Sequence, residues 1–139
     1  MKLSSYFRKD QLGYNHFVNK SNQADKHQFI MASNFQGIYF YYGDDNFYQS
    51  TVLPVLNEWH HLVITYAYDG TPNSTCRIYV DGAESASFPA SKTLNVTDFP
   101  LQFGSFGGLG NSPLDGKLDD VRIYNRALSP AAVQYLFSH

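Results

Sequence analysis

Hydrophobic and polar positions follow strand spacing along most of this chain. Gly37-Ile38-Tyr39-Phe40-Tyr41-Tyr42 puts large residues on both faces of an extended segment and stops at Gly43-Asp44-Asp45-Asn46, a run of turn formers, which predicts a strand followed by a loop. The run from Trp59 to Tyr68 ends at Asp69-Gly70-Thr71-Pro72-Asn73, and Arg77-Ile78-Tyr79-Val80 follows, so a hairpin of two strands is expected there. Asp81-Gly82 suits the positive φ values of a tight turn and should reverse the chain into Ala83 to Phe88. Leu101 to Gly104 and Leu118 to Tyr124 predict two further strands, separated by a glycine-rich loop from Ser105 to Gly116. Only the tail has helical spacing: Ser129 can cap, Pro130 suits the first helical position, and Val133, Leu136 and Phe137 recur on one face. A helix of about two turns is too short to stand alone, so it must dock on the strands.

Composition sharpens this picture. The chain has 139 residues, enough for one domain with one core, and shows no internal repeat, low-complexity tract or linker. Its apolar content is carried to an unusual degree by 11 Tyr and 11 Phe, with only 16% charged residues, which favours strands. A net charge of −2 with no basic run argues against nucleic acid as a partner. No stretch approaches the roughly 20 apolar residues of a membrane helix, and Met1 to Asp10 lacks the apolar segment of a signal peptide, so no membrane insertion is expected and the sequence names no compartment. Cys76 is alone, which excludes an internal disulfide and a zinc site of several thiolates and predicts a small buried hydrophobe.

Three segments resemble the laminin-G-like, concanavalin A-like lectin and glucanase superfamily. Asn57-Glu58-Trp59-His60-His61-Leu62-Val63-Ile64-Thr65-Tyr66 is similar to a strand of that family, Arg77-Ile78-Tyr79-Val80-Asp81-Gly82 to its hairpin, and Leu114 through Ser129 to its last strand and helix entry. The resemblance covers residues 50–139 firmly and extends more weakly to Lys2 through Asn22, with Tyr6 where the family usually has Trp. It implies an all-β, antiparallel two-sheet jelly-roll sandwich with a short C-terminal helix, spanning residues 1–139 as a single domain. It also implies that some tens of residues usually precede the point where this chain starts, including a first strand that pairs with the last. On that ground Val121 to Tyr124 is expected at an open edge, and either a homodimer or an excised piece of a longer protein is expected. Relatives of this kind are mostly secreted or displayed at the cell surface. Trp59 is expected where its strand enters the core.

Candidate chemistry is sparse. A glycoside hydrolase needs two carboxylates flanking the scissile bond, and the only Glu residues, Glu58 and Glu84, form no Glu-x-Asp-x-x-Glu pattern. His60 and His61 are successive strand residues pointing to opposite faces, His61 with Val63 and His60 away from it, so they cannot easily share one ligand. No nucleophile elbow is present.

Alternation puts Asp119 on one face with Val121 and Ile123. A carboxylate turned toward a core must be hydrogen-bonded to amides or hold a cation, and both readings are open. The resemblance implies a structural calcium near this strand in many relatives. Asp44, Asp45 and Asp69 are loop carboxylates that suit calcium or plain solvation.

Sugar binding uses aromatic faces stacked on pyranose rings, and Tyr39, Tyr41, Tyr66, Tyr68 and Phe106 offer such faces, with Asn46, Asn111 and Ser112 as polar contacts; the competing reading is that these aromatics fill the sandwich. The expected function is a non-catalytic carbohydrate- or glycoconjugate-binding module. A protein–protein adhesion domain is the alternative, and a glucanase-like enzyme ranks behind both.

Overall fold

Two five-stranded antiparallel sheets pack face to face and a C-terminal helix lies against the outside of one of them. The computed structural model describes residues 2–9, 14–21, 27–43, 46–105 and 113–139. The strands are β1 (Lys2–Lys9), β2 (Asn15–Ser21), β3 (His27–Ser33), β4 (Ile38–Tyr42), β5 (Asn46–Gln49), β6 (His60–Ala67), β7 (Thr75–Val80), β8 (Ala83–Pro89), β9 (Gln102–Phe103) and β10 (Gly116–Tyr124), followed by α1 (Pro130–Ser138). The first sheet has the order β10-β1-β6-β7-β8 and the second β5-β4-β3-β2-β9. This is the expected all-β sandwich.

The core is assembled from one face of each sheet. Phe17, Met31 and Phe40 from the second sheet meet Leu62, Ile64 and Ile78 from the first, all fully buried. Each such side chain contributes about 1.5–3 kcal/mol by leaving water. Cys76 is also fully buried here, and burial pushes its thiol up from its ordinary value. An aromatic disulfide reagent such as dithionitrobenzoate should therefore react with the native chain at least about a thousandfold more slowly than with the chain in denaturant, following the population of the unfolded state. A full equivalent titrating within seconds under native conditions would show that Cys76 is accessible.

The helix is built as its sequence predicts. Ser129 is the N-cap, its Oγ accepts from the Ala132 amide at 3.3 Å, and Pro130 opens the first turn. Fully buried Val133 packs on Val63 and Tyr79, on the outer face of the first sheet, while Phe137 stacks on His61 with ring centroids 6.1 Å apart. His61 thus shares the Val63 face. The Asp81-Gly82 turn has φ values of 51° and 78°, and a Cβ on Gly82 would lie 2.8 Å from the Phe137 ring, so the turn that closes β7 and β8 also seats the helix.

Two side chains lie elsewhere than the sequence suggests, one of them because strand alternation is broken. The Asp119 carboxylate does not face the core. Ser4 pairs with Arg122 and Tyr6 with Asp119, so β10 carries an extra residue opposite Ser5, and Asp120 takes a φ of 48°. This bulge shifts the parity of the strand. Leu118 and Val121 pack against the core, three residues apart, and Asp119 turns to solvent, where its Oδ1 accepts from the Asp120 amide at 2.8 Å. Trp59 is likewise 47% exposed rather than entering the core, because His60, one residue later, takes the inward position at the start of β6.

β10 is paired by β1 on one side and forms the edge of its sheet on the other. That edge carries Lys117, Asp119, Asp120 and Arg122 together with the left-handed Asp120, whose carboxylate takes two bonds of 2.9 Å from the Arg122 guanidinium. Charge and a bulge are features by which edge strands avoid adding a neighbour. Among the described residues no helix is long and apolar enough to cross a membrane.

Candidate functional site

The outer face of the second sheet carries the most developed array of side chains outside the core. β3 and β4 are apolar on both faces. Phe29, Met31, Ile38, Phe40 and Tyr42 point between the sheets, so Ile30, Ala32, Tyr39 and Tyr41 must point the other way, and they form a separate cluster. Register extends this face across neighbouring strands: Ala32 pairs with His16 on β2 and Tyr39 on β4, Tyr41 pairs with Phe47 on β5, and Tyr39 with Gln49. Ala32 is fully buried between His16 and Tyr39 in register.

The aromatic rings form a continuous series. Tyr41 and Phe47 have centroids 6.4 Å apart at 57°, Phe47 and Tyr39 5.2 Å apart at 37°, and Tyr39 and His16 6.5 Å apart at 90°. The Tyr39 hydroxyl lies 3.4 Å from His16 Nε2. Tyr39 is 7% exposed and forms the floor; burial, with a smaller contribution from the Tyr14 phenol, pushes it up to about 12, so it is a neutral phenol at any physiological pH. Phe47 is 47% exposed and Tyr41 half-buried, and these two are the ring faces open to a ligand. Beside them Gln49 Nε2 donates to Asn34 Oδ1 at 2.6 Å, while the same oxygen accepts from the amides of Gln36 and Gly37 at 2.8 and 3.1 Å. Beyond the β3–β4 turn, exposed Tyr14 and Phe35 meet edge to face at 6.1 Å.

Tyr39 and Tyr41 are therefore brought together. Tyr66 is not with them: it lies in the core, 4% exposed, against Phe40 and Tyr42, with its hydroxyl donated to the Lys92 carbonyl. Tyr68 is exposed past the end of β6, on the other sheet. Phe106, Asn111, Ser112, Asp44 and Asp45 lie outside the described residues. Asn46 accepts from Ser91 Oγ at 3.0 Å. Phe47 and His16 were not expected at this face. The signal for Phe47 was its place just after the Asp44-Asp45-Asn46 turn, where a returning strand sets it opposite Tyr41; nothing in sequence marks His16.

The remaining candidate groups have structural partners. His60 Nδ1 lies 2.8 Å from one Asp81 carboxylate oxygen and its Nε2 3.0 Å from the Val55 carbonyl, while the other Asp81 oxygen accepts from the His61 amide at 2.9 Å. This ties the segment before β6 to the β7–β8 turn. Asp69 Oδ1 accepts from the Thr71 hydroxyl, the Thr71 amide and Ser74 Oγ at 2.6, 2.9 and 2.8 Å, and the Thr71 hydroxyl leads in holding that carboxyl below its usual range. Glu58 and Glu84 are both exposed, one preceding β6 and one on β8, and Glu84 pairs with Arg77 at 3.7 Å. Among the described residues no three His, Cys, Asp or Glu side chains gather as a metal site.

The family model of the concanavalin A-like lectin/glucanases superfamily, laminin-G type 3, matches residues 3–134. The chain belongs to this superfamily. No curated protein matches it. Among solved structures, a Bacteroides ovatus protein assigned only provisionally as carbohydrate binding superposes with a TM-score of 0.78 at 19% identity, over 96% of this chain and 39% of its own, so the chain spans about two-fifths of that protein. The carbohydrate-binding module CBM40 of the Ruminococcus gnavus IT-sialidase, bound to α2,3-sialyllactose, gives 0.76 at 10% identity, over 98% of this chain and 81% of its own. The Trypanosoma rangeli sialidase gives 0.66 at 20% identity, over 98% of this chain but 22% of its own. At these identities the superfamily member shares a fold with them.

Proposed function

We propose that this superfamily member is a non-catalytic carbohydrate-binding module whose ligand lies on the outer face of the second sheet. The observation that carries this reading is the continuous series Tyr41, Phe47, Tyr39 and His16, with its two open ring faces beside the Gln49–Asn34 amides. Sugars present apolar C–H faces and polar rims, and an aromatic ring bordered by amides matches both. The solved relatives that carry carbohydrate-binding descriptions support the reading. The exposed positions of Glu58 and Glu84, the latter paired with Arg77, support the non-catalytic reading. The charged and bulged edge at β10 favours a glycan over a partner that adds a strand.

Removing either open ring should weaken glycan binding by about tenfold, the loss of one stacking contact. Tyr41→Ala and Phe47→Ala should each show this in isothermal titration with a glycan selected from an array, with unchanged far-ultraviolet circular dichroism. Phe35→Ala, in the separate Tyr14–Phe35 pair, serves as a comparison of an exposed aromatic outside the series. Full affinity in both Tyr41→Ala and Phe47→Ala would move the ligand off this face.

A further inference from the structure

Resting on the proposed sugar-binding face, we infer that its ligand is an uncharged oligosaccharide rather than a sialylated or sulfated one. Among the described residues, the outer-face positions in register with Ile30, Ala32, Tyr39 and Tyr41 are Asn19, His16, Gln49 and Phe47, and none of these is Lys or Arg. Recognition of a carboxylate or sulfate calls for a guanidinium or ammonium group, because an anion brought onto an apolar surface loses hydration that only a paired charge restores.

Five cationic side chains are placed away from these positions. Arg77 pairs with Glu84 on the first sheet, and Lys117 and Arg122 lie on β10 of that same sheet. Lys20 stands in register with Phe29, an inward position, and the end of the Lys92 side chain lies over Gly43, past the end of β4. His16 supplies an imidazole on this face; the residue is 5% exposed, and the Tyr39 hydroxyl lies at its Nε2.

The rings themselves disfavour an anion. An aromatic face is the negative side of the ring quadrupole, which attracts the C–H faces of a neutral sugar and repels a carboxylate. The tilts of 37° and 57° between successive rings leave no common plane, so the face suits a single oligosaccharide strand better than a flat polysaccharide surface.

The test is a glycan array probed with the full chain, carrying each neutral oligosaccharide beside its sialylated and sulfated counterparts and including lactose beside α2,3-sialyllactose. Hits are followed by titration at low and high salt. Binding is expected among the neutral members, at least about tenfold weaker for the anionic counterparts wherever the acid sits on the bound unit, and insensitive to salt. Preference for an anionic member, or affinity that falls steeply with salt, would overturn the inference while leaving carbohydrate binding in place. Binding to neither class would overturn the sugar-binding reading itself. Neutral binding unchanged by Phe47→Ala and Tyr41→Ala would show that another surface selects the sugar and would also overturn the inference.

Discussion

Replacing Gly37 with alanine is expected to destabilise the domain by about 3 kcal/mol or more, lowering the melting temperature by roughly 6–12 °C for a chain of this size. The reason is steric. Gly37 lies where the β3–β4 turn meets the strand-end at Ser50, and a Cβ there would sit 1.8 Å from the Ser50 carbonyl oxygen and 2.9 Å from its carbonyl carbon. Both are backbone atoms and neither can swing aside. Relief requires moving Ser50, whose amide donates to Ile38 at 2.8 Å, or moving the turn, where Asn34 accepts from Gly37 through its side chain and donates to the Gly37 carbonyl at 3.0 Å. Either shift disturbs β4 and β5, which hold Tyr39, Tyr41 and Phe47. Gly70 supplies the contrast: its φ is 80°, but nothing lies within 4 Å of an added Cβ, so Gly70→Ala should lose only about 1–2 kcal/mol for its left-handed backbone. Thermal melts of the two variants should rank Gly37→Ala clearly below Gly70→Ala. Equal melting temperatures would mean that Ser50 yields without consequence.

The second large effect is expected at Tyr42, where truncation to alanine should remove about 3–5 kcal/mol. Tyr42 is fully buried and is the centre of an aromatic group, with ring centroids 4.7 Å from Tyr66, 5.6 Å from Tyr48 and 5.9 Å from Phe40. Its hydroxyl lies 2.9 Å from Ser91 Oγ and 3.1 Å from the Tyr48 hydroxyl, and it accepts from the Ser91 amide at 3.3 Å. Tyr48 in turn donates to the Pro89 carbonyl at 2.5 Å and Tyr66 to that of Lys92. Three tyrosines thus pin residues 89–92 against the end of the sandwich, and burial first, with the Tyr42 hydroxyl second, raises both Tyr48 and Tyr66. Tyr42→Phe keeps the ring packing and removes the hydroxyl, and should lose about 1–2 kcal/mol. Urea denaturation of both variants separates packing from hydrogen bonding. A Tyr42→Phe variant as unstable as Tyr42→Ala would place most of the stabilisation in the hydroxyl network, and two variants as stable as the parent would show that the cluster is dispensable.

Much of the architecture was legible in the chain because local rules dictate it. Strand spacing with Asp-Gly punctuation is enough to place β4, β6, β7 and β8, and the Ser129-Pro130 start with Val133 on one face is enough to place α1. Cys76 was readable as a small buried hydrophobe for the same reason, being flanked by a strand pattern and alone in the chain.

The rest depended on contacts between distant segments. Ile38 to Tyr42 is apolar on both faces, so its pattern cannot say which face becomes core; packing against Leu62, Ile64 and Ile78 decides it, sending Tyr42 inward and Tyr39 and Tyr41 outward. Tyr66 has the same composition cues as Tyr41, and only the stacking of the two sheets makes one a core residue and the other part of an open face. Asp119 follows the strand period in sequence, yet pairing with β1 inserts an extra residue opposite Ser5 and turns its carboxylate to water. Periodicity and turn chemistry are properties of neighbouring residues and can be read from the chain alone. Which side of a strand is covered, and where a register slips, are set by partners that only the folded chain brings together.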